Sequence, residues 1–313
     1  MNYNFNDIKT SSTWVKIKKI EYGWSSDEKY YIEDNKNIKY LLRISNADIY
    51  EEKKKEFEII KKFNTLDFQM SRAIEFGYFN EHKNVYMLLS WVEGCSLEEK
   101  LHSLPEIEQY QLGLYSGKIL KQIHSIPVDL QDVPSVNRIS KKLLQLQRYE
   151  DSSVRIPNDE IAITFVKNNI DMLCKSSPVY EHGDFHVGNL IYTPDKRIGV
   201  IDFNRWKCGD KYEEFYKIQS FDIDHSIAFS IGQIQGYFTG NPPIDFWKSQ
   251  AVYVAHASLY SIKWAEEFGQ KDIDGMTKRC LEAFHHYDNF NLTIPKWYLE
   301  NKDKYRIDFK SLS

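Results

Sequence analysis

Between Thr13 and Ile44, β-branched and aromatic residues crowd into short runs, broken at Gly23-Trp24-Ser25-Ser26-Asp27 and again at Asp34-Asn35-Lys36-Asn37. Runs of this kind bounded by turn-forming residues predict three consecutive antiparallel strands. The pattern then changes period. Phe57, Ile59, Ile60 and Phe63 recur at helical spacing among lysines and glutamates, so a helix beginning near Ala47 follows, with its charges on the solvated face. Ala73 to Phe79 and Val85 to Ser90 read as two further strands joined by a turn from Asn80 to Asn84. The N-terminal part is therefore expected to form a five-stranded antiparallel sheet with one helix.

After Gly94 apolar residues recur at helical intervals: Leu112, Tyr115, Ile119, Leu120 and Ile123, then Leu143, Leu144 and Leu146, then Ile161, Phe165 and Ile170. Only Val179 to Phe203 interrupts this pattern. It returns from Phe221 to Asn289, with a break at Gly240-Asn241-Pro242-Pro243. An α+β, two-lobed architecture is expected, divided into residues 1–92 and 93–313, the second mainly helical and carrying a hairpin.

Composition narrows the classes. With 42% hydrophobic and 15% aromatic residues in 313, disorder is excluded and two cores are within reach. Basic and acidic side chains nearly balance, for a net charge of −4, and no long block of one sign occurs outside Lys53 to Lys62. A nucleic-acid partner is therefore not expected. The polar start and the lack of a run near ~20 apolar residues predict a cytoplasmic chain with no membrane partner. Cys95, Cys174, Cys208 and Cys280 lack C-x-x-C spacing, so neither a disulfide framework nor a zinc site is expected.

The chemistry concentrates in Tyr180-Glu181-His182-Gly183-Asp184-Phe185-His186-Val187-Gly188-Asn189, followed by Leu190 to Tyr192 and, after Thr193-Pro194-Asp195-Lys196, by Arg197 to Ile201 and Asp202. Two short apolar runs around turn chemistry should pair as a hairpin. Pairing would bring Asn189, before the first strand, beside Asp202, after the second. An Asn and an Asp together offer hard oxygen ligands suited to Mg²⁺. Asp184, upstream on the same loop, would face a metal-bound triphosphate and accept a proton from an incoming hydroxyl.

The series His182-Gly183-Asp184 with Asn189, a hairpin and Ile201-Asp202-Phe203 resembles the catalytic signature of the aminoglycoside phosphotransferase family, related in fold to choline kinases and protein kinases. Gly209-Asp210 and Glu213-Glu214 extend the match. The resemblance implies a bilobal protein-kinase-like fold, a catalytic Asp184, Asn189 and Asp202 as metal ligands, and His182 as a brace of the loop. His186 reads as packed on the loop. Asn204 stands where protein kinases carry a glycine, which implies no movable activation segment.

A kinase also needs a nucleotide side. Ser25 and Ser26, between the first two strands, offer hydroxyls and backbone N–H groups to a triphosphate. By resemblance, Arg43 on the third strand occupies the place of the family's usual lysine and would pair with phosphates through its planar fork, with Glu56 on the next helix as its partner. The resemblance also implies that Ser90 and Val92 would meet the base through their backbone. The expected activity is ATP- or GTP-dependent phosphorylation of a small-molecule hydroxyl, on an aminoglycoside or a similar antibiotic. The alternatives are a metabolic kinase for choline, an amino sugar or another alcohol, and a non-catalytic nucleotide-binding module. A cationic acceptor would draw on Glu213, Glu214, Asp222, Asp224, Glu266 and Glu267, with aromatic faces at Trp206 and Trp264.

Overall fold

The computed structural model describes residues 3–21 and 27–305. The chain divides into two compact units, residues 1–95 with 191–206 and residues 96–190 with 207–313.

The first unit is built on strands β1 (Trp14–Ile20), β2 (Glu28–Asp34), β3 (Lys39–Asn46), β5 (Ala73–Phe79) and β6 (Asn84–Ser90), in the spatial order β1-β2-β3-β6-β5. All neighbours are antiparallel. The tight β2–β3 turn fixes the register that matters later. Asp34 Oδ1 accepts from both Lys36 N and Ile38 N at 2.8 Å, and Asn37 takes the left-handed conformation at φ 61°. That register sets Lys29 opposite Arg43 and Tyr30 opposite Leu42. Side chains alternate across a strand, so Tyr30, Ile32, Leu42 and Ile44 share one face, where Ile8, Phe79 and Leu88 complete a core. Lys29 and Arg43 belong to the other face. Helix α1 (Tyr50–Phe63) follows, burying Glu56, Ile59, Ile60 and Phe63.

Strand β9 (Leu190–Tyr192) pairs with β10 (Ile198–Val200), as the turn chemistry predicts. Thr193 Oγ1 donates to Asp195 Oδ1 at 2.6 Å, and Lys196 takes φ 60° to close the turn. The hairpin differs from expectation in its company. Strand β10 runs parallel to the two-residue strand β4 (Gln69–Met70), and residues 191–206 therefore count with the sheet rather than with the helices. A strand of two residues leaves no periodic trace in the sequence.

The second unit begins around the short strand β7 (Cys95–Ser96) and contains α2 (Leu97–Leu101), α3 (Glu106–His124), α4 (Arg138–Glu150) and α5 (Glu160–Asn169). Strands β8 (Val179–Glu181) and β11 (Lys207–Gly209) pair antiparallel within it. After them come α6 (Ile223–His225), α7 (Ile227–Phe238), α8 (Ile244–Ala265), α9 (Gln270–His286) and α10 (Lys296–Asn301). Helix α8 is buried on most of its circumference, which suits its central place in a core shared with α4, α5 and α9. All four cysteines are free. Among the described residues no helix is long and apolar enough to cross a membrane.

Helices α3 and α7 touch backbone to backbone. A Cβ at Gly113 would lie 2.1 Å from the Phe229 carbonyl oxygen, and one at Gly232 would lie 2.3 Å from that of Tyr110. Either alanine substitution must push the helices apart, at a cost of roughly 1–3 kcal/mol or more. Gly275→Ala in α9 meets only the flexible end of Arg279 and should be neutral or stabilising by up to ~1 kcal/mol. Urea unfolding of the three variants checks the contrast.

Candidate active site

In the helical unit, β8 delivers the chain into the loop that carries Asp184. The turn needs Gly183 at φ 82°, a conformation that costs glycine little. Two successive N–H groups there meet one carboxylate: His182 N donates to Glu214 Oε2 at 2.8 Å and Gly183 N to Glu214 Oε1 at 2.7 Å. Burial opposes the charge on Glu214, but His124, 3.3 Å away, and the donors from the loop outweigh it and hold the carboxyl below its usual range. His182 is fully buried and its Nδ1 accepts from Asp184 N at 3.2 Å, so it braces the loop. Asn189 closes the loop from the far end. Its Nδ2 donates to the Asp184 carbonyl oxygen at 2.9 Å, which leaves Oδ1 as the amide atom suited to a cation.

The Asp184 carboxylate faces basic groups. Lys217 Nζ sits 2.6 Å from its Oδ1 and His186 Nε2 lies 3.7 Å from the same oxygen. Lys217 is nearly buried, with its ammonium 5.2 Å from the ring centroids of both Tyr216 and Phe221. His186 stacks on Phe221 at 4.8 Å. Next in the chain, the fully buried Asp222 accepts from Val187 N at 2.9 Å through Oδ1, while its Oδ2 has no hydrogen-bond partner among the described residues. Burial pushes the Asp222 carboxyl up to about 7, against the pull of His186, the Val187 N–H and Lys217, and with Glu98 adding to the rise.

In the sheet unit a second charge cluster surrounds Arg43. Arg43 Nε donates to Asp27 Oδ2 at 3.0 Å, Nη2 reaches the same oxygen, and Nη1 pairs with Glu56. Lys53 Nζ bridges the two acids, 2.8 Å from Asp27 and 3.2 Å from Glu56. Burial works against all these charges. Arg43 and Lys53 nevertheless hold Asp27 below its usual range, while Glu56, Asp27 and Asp202 hold Arg43 firmly charged. Asp202 itself adopts the left-handed conformation at φ 63°, a strained state for a non-glycine residue. It is anchored by its neighbour Phe203, fully buried and 5.3 Å from the ring of Phe63 on α1. Lys29 Nζ stands 3.6 Å from Asp202 Oδ2.

The expected Arg43–Glu56 pair is thus present, with Asp27 as an unforeseen third member. Ser25 and Ser26 lie outside the described residues. Ser90 is tied to Arg72, its N–H donating to the Arg72 carbonyl oxygen and its Oγ accepting from Arg72 N, both at 2.8 Å, and Val92 lies just past the end of the β6 ladder. The expected acceptor acids need correction. Glu213 is buried between Lys142 at 2.8 Å and Lys207 at 2.6 Å, Glu214 holds the loop, and Asp222 is sealed behind it. These three serve the interior because the loop backbone and the ammonium groups of Lys142 and Lys207 demand carboxylates there; Asp224 and Glu267 remain exposed. Sequence reading missed Lys217, Lys29, Asp27 and Lys53. Lys29 was findable only through the β2–β3 register.

The loop with Asp184 and Asn189 belongs to the helical unit, while the hairpin that ends in the left-handed Asp202 and the buried Arg43–Glu56 pair belong to the sheet unit. A family model described as the phosphotransferase enzyme family matches residues 16–247, and the chain belongs to that family. An aminoglycoside 3'-phosphotransferase of Niallia circulans is 25% identical over 215 residues, which cover 64% of this chain and 76% of that protein. Among solved structures, the GDP complex of a mutant aminoglycoside 2'-phosphotransferase-IIIa superposes with a TM-score of 0.74 at 16% identity, over 92% of this chain and 97% of that one. The gentamicin complex of APH(2")-IIa gives 0.66 at 20% identity, over 91% and 99%. The likeness to these structures shows the bilobal, kinase-like α+β fold.

The raised Asp222 carboxyl yields a stability prediction with a definite sign. Folding favours its protonated form, so the stability it contributes is complete below the unfolded value near ~3.9 and is lost as pH rises toward about 7. Asp222→Asn removes that dependence. The stability of the variant relative to wild type should therefore climb between about pH 4 and about pH 7, by a few kcal/mol at most. Urea unfolding across this range reads the difference, and a pH-independent offset would refute the assignment.

Proposed function

We propose that this chain transfers the γ-phosphoryl group of ATP or GTP to a hydroxyl of an aminoglycoside or a similar amino-sugar antibiotic, with Asp184 as the catalytic base. The observation that carries the reading is the seating of Asp184 on a loop whose backbone is held by Glu214 and whose Oδ1 is fixed by Lys217. The acceptor oxygen forms a bond to the γ-phosphorus as the bond to the departing nucleoside diphosphate breaks, and the hydroxyl proton passes to Asp184. Lys217 positions the carboxylate that receives it. Membership of the phosphotransferase family and the likeness to an aminoglycoside 3'-phosphotransferase support the class of reaction and of acceptor.

Asn189 and Asp202 would hold Mg²⁺. They fit a hard cation: both offer oxygen, the Asn189 amide nitrogen is already committed to the Asp184 carbonyl, and Asp202 is pinned in a strained conformation next to a buried Phe203. When bound, such an ion neutralises charge on the transferring phosphates. The interior placement of Glu213, Glu214 and Asp222 removes half of the carboxylates a polycationic acceptor was expected to use, and this favours keeping choline and neutral alcohols in any acceptor panel.

Purified protein with Mg·ATP or Mg·GTP and such a panel, with products read by mass spectrometry, tests the reading; transfer to neutral alcohols alone would displace the aminoglycoside. Asp184→Asn should keep nucleotide affinity while turnover drops by a factor on the order of 10² or more. Asp202→Ala should behave differently, weakening the Mg²⁺-dependent affinity for nucleotide as well as turnover. Calorimetric titration separates the two, and an unchanged affinity in Asp202→Ala would remove it from the metal site.

A further inference from the structure

We propose that Lys29 on β2, rather than Arg43 on β3, is the cation that pairs with the nucleotide's phosphates; this rests on the phosphotransferase reading above and names a binding residue within it. Among the described residues, Arg43, Lys53 and Lys29 are cations that share one region of the sheet unit. Lys29 and Arg43 are direct cross-strand partners, so their side chains leave the sheet on the same face. They differ in what they already hold. The Arg43 side chain is only 3% exposed, with Nε and Nη2 on Asp27 and Nη1 on Glu56. Lys53 closes the same cluster from α1, at hydrogen-bond distance from both acids. Two carboxylates and two cations thus balance. Withdrawing Arg43 to a phosphate would leave Asp27 and Glu56 buried with one cation between them, which is strongly unfavourable.

Lys29 is placed otherwise. Its side chain is 15% exposed, and its ion pair is with Asp202 Oδ2 at 3.6 Å, longer than a hydrogen bond. Asp202 is the carboxylate argued above to hold a divalent cation. A carboxylate engaged by such an ion has less negative charge to offer an ammonium, and Lys29 is then the cation free to turn to phosphate oxygens. An ammonium on a flexible stem suits this as a point charge with three rotatable donors. Arg43 becomes a positioning residue that ties Glu56, and with it α1, to the sheet.

The test is Lys29→Met and Lys29→Arg, with Lys53→Met beside them, in the full chain. Titrations with Mg·ATP, Mg·GTP and adenosine are combined with steady-state kinetics on whichever acceptor wild type phosphorylates, and thermal denaturation monitors folding. Lys29→Met is expected to keep its melting temperature and its affinity for adenosine while losing roughly tenfold to 10²-fold in kcat/KM for the triphosphate, with partial recovery in Lys29→Arg. A Lys29→Met protein within twofold of wild type in triphosphate affinity and kcat/KM overturns the inference. So does a larger loss of triphosphate affinity in Lys53→Met, which would assign the role to α1. These failures occur in an active wild-type protein, whereas a wild type that neither binds Mg·nucleotide nor transfers phosphate overturns the phosphotransferase reading and this inference with it.

Discussion

The Glu214 carboxylate accepting from the N–H groups of His182 and Gly183 is the interaction on which the candidate site depends. Two consecutive amides pointing the same way, with the second residue at positive φ, form a small concave anion site, and here the protein fills it with its own side chain. Left unfilled, these N–H groups would be donors without partners at the edge of a core, a state that costs more than an ordinary hydrogen bond contributes. Once they are fixed, the rest of the loop follows by short bonds. His182 accepts from Asp184 N, and the Asn189 amide ties the Asp184 carbonyl to the start of β9. Asp184 and Asn189 are therefore held by one peptide segment whose freedom is removed at both ends.

Charge is managed in each unit by local neutralisation. Around Glu214 the acids Glu213 and Glu181 meet Lys142 and Lys207, and burial pushes the Glu181 carboxyl up while Lys142 and Lys207 draw Glu213 down. Around Arg43 the acids Asp27 and Glu56 meet Arg43 and Lys53. Buried ion pairs of this sort contribute little net stability, since desolvation offsets attraction, yet removing one partner is expensive. They are better understood as fixing geometry. Lys29 with Asp202 at 3.6 Å and His186 with Asp184 at 3.7 Å are looser than the pairs within these two clusters.

Much of this was legible in the sequence because it is local. The three strands before Ile44, the helix that buries Ile59 and Phe63, and the hairpin around Thr193 to Lys196 each rest on short-range periodicity or turn chemistry, and each is present. Arg43 and Glu56, expected as a pair from the family resemblance, do bond to one another across thirteen positions. What escaped notice depends on long-range register. Strand β4 is two residues long, Lys29 meets Arg43 only through the β2–β3 alignment, and the carboxylates of Glu213 and Glu214 look like a solvated acidic pair until β8 and β11 are brought together. Nothing in composition separates an acid that faces solvent from one that answers two buried N–H groups.

The placement of Lys217 shows what helical periodicity does not reveal at this spot. In an α-helix, residues five apart point roughly 140° away from each other, so Lys217 and Asp222 would not serve the same neighbour. Residues Ile218–Asp222 instead form a π-helical turn, closed by Ile223 N donating to the Ile218 carbonyl oxygen five residues back. The wider turn brings residues five apart close to alignment, and both side chains reach one loop: Lys217 binds Asp184 Oδ1 and Asp222 binds Val187 N. Phe221 between them supplies the surface on which His186 stacks and over which the Lys217 ammonium sits. One extra residue in one turn thus directs a cation, an aromatic face and a carboxyl at the segment carrying Asp184. No count of apolar residues at intervals of three and four would reveal this, because the departure from that period is itself the device.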